Sequence, residues 1–147
     1  MSEVRIQHED FDPGADIAML SDTKGEAGAV ASFVGIVRGD GGLTAMTLDH
    51  YPGFAEREIS AHVAEAKKRW PLLGVRIVHR VGRLTPGERI VFCGTASSHR
   101  QAAFEACEFL MDYLKTRAPF WKLEERANAS TWVEARREDD EMVRRWR

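Results

Sequence analysis

The densest run of chemically useful side chains is Asp112-Tyr113-Leu114-Lys115-Thr116-Arg117-Ala118-Pro119-Phe120-Trp121-Lys122, in which three cations are interleaved with aromatic residues. Pro119 bounds a helix inside this run, so the cations and rings gather around a helix end. A lysine held among apolar rings and other cations has its pKa lowered. It can then act as a base or nucleophile, or donate to a developing oxyanion. Lys115 is the better candidate for that work and Lys122 the second. The same residues also suit an ordinary helix end, where Lys115 and Arg117 complement the dipole and Phe120 and Trp121 are core. Side-chain chemistry alone favours the ordinary helix end.

Ser98-His99-Arg100-Gln101 has the Ser-x-x-Gln form of a capping box and places His99 and Arg100 in the first turn of a helix. Free N–H groups and the helix dipole there favour a phosphate or carboxylate, although a solvated Arg100 and a local role for His99 fit equally well. Arg38, where an apolar strand meets a glycine loop, and Arg136, at the end of another strand, could each reach an anion; lone arginines are more often solvated. Glu124 and Glu125 lie close enough to Lys122 for a local ion pair that would orient it, and exposed pairs of that kind contribute little.

Other chemistries find less support. The two cysteines, Cys93 and Cys107, lack Cys-x-x-Cys spacing and sit in apolar surroundings, which favours burial over a disulfide, a zinc site or a persulfide. Histidines at positions 8, 50, 62, 79 and 99 show no His-x-x-x-His pair, so no metal is expected. Phosphate-loop, nucleophile-elbow and dinucleotide glycine motifs are absent.

The elements that must position these residues are readable from periodicity. Ala29 to Arg38 suits a buried strand, with Gly35 marking a bulge or a close backbone approach. After the Gly39-Asp40-Gly41-Gly42 break, expected to be mobile, Ala45 to Tyr51 alternates as a second strand, expected to lie antiparallel to the first. Ile59, Val63, Ala66 and Trp70 make one face of a helix that Pro71 ends. Val75 to Val81 and Arg89 to Ala96 read as a hairpin across Thr85-Pro86-Gly87-Glu88. Ala103, Ala106, Cys107, Leu110, Tyr113 and Leu114 define a long helix. Phe120 to Glu124 and Thr131 to Arg136 are short strand candidates, and Glu138 to Arg147 is a charged tail with helical character. The pattern predicts one α+β domain over residues 1–147, with a mainly antiparallel sheet and two principal helices packed on it, and disfavours a Rossmann fold.

Composition agrees. The chain has 147 residues, 44% apolar and 30% charged, which is globular and sized for one domain. Its net charge of −2 supplies no global field to gather nucleic acid or an anionic membrane, so any anion site is local. Met1 to Asp10 has no apolar h-region and no stretch of about 18 apolar residues occurs, so neither secretion nor a membrane span is expected and a cytoplasmic location fits.

These residues resemble a known family, the large catalytic subunit of molybdopterin synthase. The resemblance covers nearly the whole chain. It rests on Phe33-Val34-Gly35-Ile36-Val37-Arg38, Leu48-Asp49-His50-Tyr51-Pro52-Gly53, His79-Arg80-Val81-Gly82 and Ser98-His99-Arg100, and most specifically on Asp112 to Lys122 followed by Glu124. It implies an α/β hammerhead element and a sulfurtransferase activity: two sulfurs enter cyclic pyranopterin monophosphate to become the dithiolene of molybdopterin, and the cyclic phosphate opens. The implied donor is a small ubiquitin-like carrier whose C-terminal Gly-Gly thiocarboxylate threads into the pocket. The implied assembly is a heterotetramer built on a homodimer of this chain, with no cofactor or metal.

By the same resemblance, Lys115 matches the lysine beside the thiocarboxylate and Lys122 a second pocket lysine. Arg38, His99, Arg100, Glu124 and Arg136 match substrate-pocket positions, with His99 and Arg100 supplied across the dimer interface, and Phe33 and Met111 line the pocket. Leu123, where a polar or basic residue is expected, and the short Gly39 to Leu43 loop depart from the pattern. Two rival readings remain: a non-catalytic module binding anions or single-stranded nucleic acid through the cationic aromatic run, and an acyl- or phosphoryl-transfer enzyme using the His99-Arg100 helix start.

Overall fold

The computed structural model describes residues 2–127, 129–132, 142–144 and 146. The chain runs β1 (Ser2–Gln7), α1 (Pro13–Ser21), β2 (Ala29–Ile36), a 3-10 turn (Asp40–Gly42), β3 (Leu43–His50), α2 (Phe54–Arg69), β4 (Leu72–Arg80), β5 (Gly82–Leu84), β6 (Arg89–Ser97), α3 (Arg100–Thr116), β7 (Phe120–Arg126) and β8 (Ala129–Trp132). The fold is α+β, as expected, in two four-stranded sheets ordered β1-β4-β6-β2 and β5-β3-β7-β8. Every strand pair is antiparallel except β1 with β4.

The first sheet is covered on both faces, which explains why β4 and β6 are apolar almost throughout. Along β4, Val75 and Ile77 join the core formed with α2 and α3, while Val78 joins Leu20, Phe92 and Ala96 beneath α1. On the α1 face Arg76 donates from Nε to Asp16 Oδ1 at 2.6 Å and also pairs with Glu3. The helices sit where their apolar stripes demand. Ile59, Val63 and Ala66 of α2 are buried, as are Ala103, Ala106, Cys107, Leu110 and Leu114 of α3.

The second sheet has its own small core of Val37, Met46, Leu48 and Leu84. Ile90 and Phe120 pack against both this core and the helix-covered one, so the first residue of β7 sits where the two sheets meet. That junction positions the candidate site.

Several expectations need correcting. β2 and β3 do not pair: β2 lies beside β6, and β3 between β5 and β7. The register shifts between Gly35 and Ile36, and Gly41 and Gly42 adopt φ of 65° and 76°, so the chain turns out of one sheet into the other. The loop expected to be mobile is a 3-10 turn whose Gly41 carbonyl accepts from Arg126 Nε at 3.1 Å. The β4/β6 pairing is antiparallel as expected, with β5 interposed and recruited to the second sheet. β1 and α1 escaped the periodicity reading altogether. Of the strand expected over Thr131 to Arg136, Thr131 and Trp132 lie in β8; the rest, like most of the tail, lies outside the described residues.

Candidate active site

Lys115 occupies the last turn of α3, which the chain leaves through Arg117 N–H and Ala118 N–H, both donating to the Tyr113 carbonyl at 2.8 and 3.1 Å. Pro119 then commits the backbone to β7. The register of β7 against β3 sets Phe120 opposite His50, Lys122 opposite Leu48 and Glu124 opposite Met46. Because side chains alternate along a strand, Phe120, Lys122 and Glu124 share the face that Met46 and Leu48 bury. Lys122 is therefore half-buried on the core side of the sheet.

The residue that joins these elements is His79. It continues the Val75–Ile77 row of β4, is 6% exposed, and stacks on Phe120 with ring centroids 4.1 Å apart and planes 16° apart. Its Nδ1 lies 2.9 Å from the Arg80 carbonyl, which can only accept, so Nδ1 carries the proton and the neutral ring keeps its lone pair on Nε2. Burial pushes the His79 imidazole down to about 4; the hydrogen bond to the Arg80 carbonyl opposes this, and the charges of Lys115 and His50 add to it. At neutral pH the ring is uncharged. His50, opposite Phe120 in the β3/β7 register, has its ring centroid 6.2 Å from that of Phe120, and its buried Nδ1 has no hydrogen-bond partner among the described residues.

Phe120 thus meets two histidines that residue chemistry had not singled out, with Lys115 exposed at the end of α3 before it and Lys122 half-buried two residues after it on β7. A usable signal existed. His79 and Arg80 are polar residues closing a strand that is apolar apart from Arg76, and a buried polar side chain at such a point calls for a specific partner.

Other expected site residues stand elsewhere. His99 is the N-cap of α3, extended at φ −131° and ψ 153°, and its side chain makes no capping bond. The expected capping box does not form, because Ser98 precedes the cap by one residue and Gln101 Nε2 donates to Glu105 Oε1 at 2.9 Å. Arg100, exposed in the first turn, is separated from Lys115 by about 22 Å of helix at 1.5 Å per residue. Arg38 is exposed and lies 3.4 Å from Asp40. The expected ion pair of Lys122 with Glu124 or Glu125 is replaced by Glu124 with Arg126 at 3.3 Å and Glu125 with Arg83 at 3.1 Å. Strand alternation accounts for Glu125, which faces away from Lys122; Glu124 shares the Lys122 face but pairs with Arg126 on the same face instead.

Phe33 lies exposed on β2, an edge strand, and Met111 is buried in the α3 core. Arg136 lies outside the described residues. Cys93 and Cys107 are buried, and contact with Cys107 together with burial pushes the Cys93 thiol up, which suits inert core residues. No cluster of three or more His, Cys, Asp or Glu that could hold a metal occurs among the described residues, nor is any helix there long and apolar enough to cross a membrane. A cavity of about 230 Å³ opens on the α2 side of α3, lined by His62, Arg69, Phe109, Tyr113 and Trp146. It does not include Lys115 or Lys122.

Fold and site define a single-domain α+β protein in which an exposed helix-end lysine and a half-buried strand lysine stand, along the chain, before and after the Phe120 that stacks on a buried, uncharged imidazole. The MoaE protein family model matches residues 6–117, and the chain belongs to that family. A molybdopterin synthase catalytic subunit from Mesorhizobium japonicum is 54% identical over 147 residues, covering 98% of this chain and 92% of its own. The Escherichia coli K12 catalytic subunit is 46% identical over 149 residues, covering 99% and 98%. The solved MoaE protein from Burkholderia ambifaria aligns at a TM-score of 0.86 and 50% identity, covering 99% of this chain and 98% of that one.

Proposed function

We propose that this chain is the catalytic subunit of a molybdopterin synthase, a sulfurtransferase that takes sulfur from the C-terminal thiocarboxylate of a small ubiquitin-like carrier and delivers it to cyclic pyranopterin monophosphate. The observation that carries this reading is that the chain is nearly half identical or more to catalytic subunits along its whole length, with Lys115 at the end of α3 and Lys122 on β7 to either side in sequence of the Phe120 that stacks on His79. A thiocarboxylate sulfur is already an anionic nucleophile. The protein has only to hold it against the acceptor carbon and stabilise the charge that develops.

Lys115 orients the carrier terminus and assists proton transfer, and Lys122 supports it from β7. His99, Arg100 and Arg38 hold the pterin and its phosphate, joined by Glu124 and Arg136, while Phe33 and Met111 line the pocket. The length of α3 between Arg100 and Lys115 supports a site shared by two copies of the chain, each giving one end of the helix. The working assembly is then a heterotetramer of two catalytic chains and two carriers, acting in the cytoplasm.

A nucleic-acid module is less well supported, because Phe120 is already stacked on His79 and Trp121 packs edge-on against Tyr51 at 5.3 Å. The direct experiment mixes the pure protein with its authenticated thiocarboxylated carrier and the cyclic pterin, then assays dithiolene product. Product formation is expected in the wild type. In Lys115→Ala the carrier still binds and most product is lost, since a lysine acting on the reacting atoms contributes more to the transition state than to docking. Near wild-type turnover by that variant would remove Lys115 from the mechanism.

A further inference from the structure

Trp146, beyond β8 in the chain, has no part in the site as assigned above, yet it is tied to both long helices. From the α2 side, Arg69 Nη1 donates to the Trp146 carbonyl at 2.7 Å, and the Trp70 ring meets the indole edge-on at 5.8 Å between centroids. From α3, the Phe109 ring meets it edge-on at 5.7 Å, and Asp112 Oδ2 accepts from the indole Nε1. Arg69 also lies over the Phe109 ring, 4.7 Å from its centroid, so one guanidinium links both helices to the indole. The Trp146 backbone is held as well, its N–H donating to the Val143 carbonyl at 3.1 Å.

Both α3 contacts fall near the end of that helix, where carbonyls lack intrahelical partners and the backbone frays unless something holds it. Asp112 is part of this end: its carbonyl accepts from Thr116 Oγ1 at 2.7 Å. Lys115 stands three residues further on, about 4.5 Å along the axis at 1.5 Å per residue. An indole N–H donating to a carboxylate is a charge-assisted bond, and edge-on rings fix its direction. We propose that Trp146 is a positioning residue for sulfur transfer: by bridging α2 to Phe109 and Asp112 it clasps the end of α3 and fixes the turn of backbone that carries Lys115. The catalytic consequence rests on the reading of Lys115 as the sulfur-site lysine. The clasp rests on the contacts alone.

The test uses the full chain and two variants. Trp146→Ala removes the ring contacts and the bond to Asp112, while Trp146→Phe keeps an aromatic ring and loses only the bond. Backbone NMR order parameters for residues 114–117 should drop in Trp146→Ala from about 0.85, the rigid range, toward about 0.6, with those of α1 unmoved, and Trp146→Phe should fall between. Single-turnover sulfur transfer from the thiocarboxylated carrier should slow by about 10- to 100-fold in Trp146→Ala, as it does when a reacting group is misplaced, with the carrier Kd nearly unchanged and part of the rate recovered in Trp146→Phe.

Order parameters that stay at the wild-type level in Trp146→Ala would overturn the proposal, even if the variant melts at a lower temperature, because a residue that only stabilises the fold leaves the motions of the native state alone. A wild-type rate alongside a loosened helix end would overturn it too, since Lys115 would then work without the clasp. Should Trp146→Ala fail to fold, Trp146→Phe decides by the same two readings. Absence of dithiolene product from the wild type would instead refute the functional reading, and the order parameters would still decide whether Trp146 holds the end of α3.

Discussion

Arg100 and Lys115 stand at opposite ends of α3, about 22 Å apart along its axis at 1.5 Å per residue. On the proposed reading a reacting centre that uses both takes Lys115 from one copy of the chain and Arg100 from the other, and a symmetric dimer would hold two such centres. Consider a dimer made of one Lys115→Ala chain and one Arg100→Ala chain. One centre receives both damaged side chains and the other receives neither, so turnover should be about half that of the wild type. Now place both substitutions on one chain and pair it with an intact chain. Each centre loses one side chain, and turnover should collapse to the level of the single variants. Centres built within one chain predict the reverse: about half in the second dimer and almost none in the first.

The contrast is readable because each parent should be nearly inactive. Removing a donor that stabilises developing charge costs about 2.7–4 kcal/mol, or about 100- to 1,000-fold in rate, so a parent dimer contributes little background against an expected half. Two different affinity tags isolate each mixed dimer, and dithiolene formation is followed at saturating thiocarboxylated carrier. Half-activity in the doubly substituted dimer, together with inactivity in the dimer bearing one substitution per chain, would refute the shared site.

The sequence carried the packing helices well, since the Ile59–Val63–Ala66 and Ala103–Cys107–Leu110–Leu114 spacings can bury only one face each. The neighbourhood of Lys115, Phe120 and Lys122 was legible for a related reason: they are close along the chain, and α3 ends at Thr116 with Pro119 leading straight into β7. His79 was invisible to that logic. It reaches Phe120 only because the two sheets abut, and tertiary contact of that kind leaves no local period in the sequence; only the His79-Arg80-Val81-Gly82 resemblance marked the spot. The false pairing of β2 with β3 arose from treating Gly39 to Gly42 as a hairpin turn, whereas the irregular register at Gly35 redirects the strand before the turn begins. α1 was missed although Asp12-Pro13 is a legible helix start, with Asp12 Oδ1 accepting from Gly14 N–H at 2.9 Å. The apolar period of so short a helix is too weak to announce it.

Three further outcomes are expected. In Lys122→Ala the turnover loss should be smaller than in Lys115→Ala, because Lys122 supports the site from a strand; an unaffected rate would make it a scaffold residue. Asp16→Ala should destabilise the fold by about 3 kcal/mol in urea unfolding, near the lower end for a broken buried ion pair, because the guanidinium of Arg76 stays buried with only the more exposed Glu3 as its remaining acid. The third concerns acid. Burial lowers the folded His79 from 6.5 to about 4, so between those values the unfolded chain binds a proton that the folded chain refuses. Stability from this residue is therefore complete above about pH 6.5 and is lost progressively as pH falls toward about 4, amounting to about 3 kcal/mol at 1.36 kcal/mol per pH unit. Carboxylates titrate in the same window, so the quantity to measure is the difference between wild type and His79→Gln in urea unfolding from pH 7.5 to 4.5. The wild type should lose stability more steeply, and parallel curves would mean that His79 accepts its proton in the folded protein as readily as in the unfolded one.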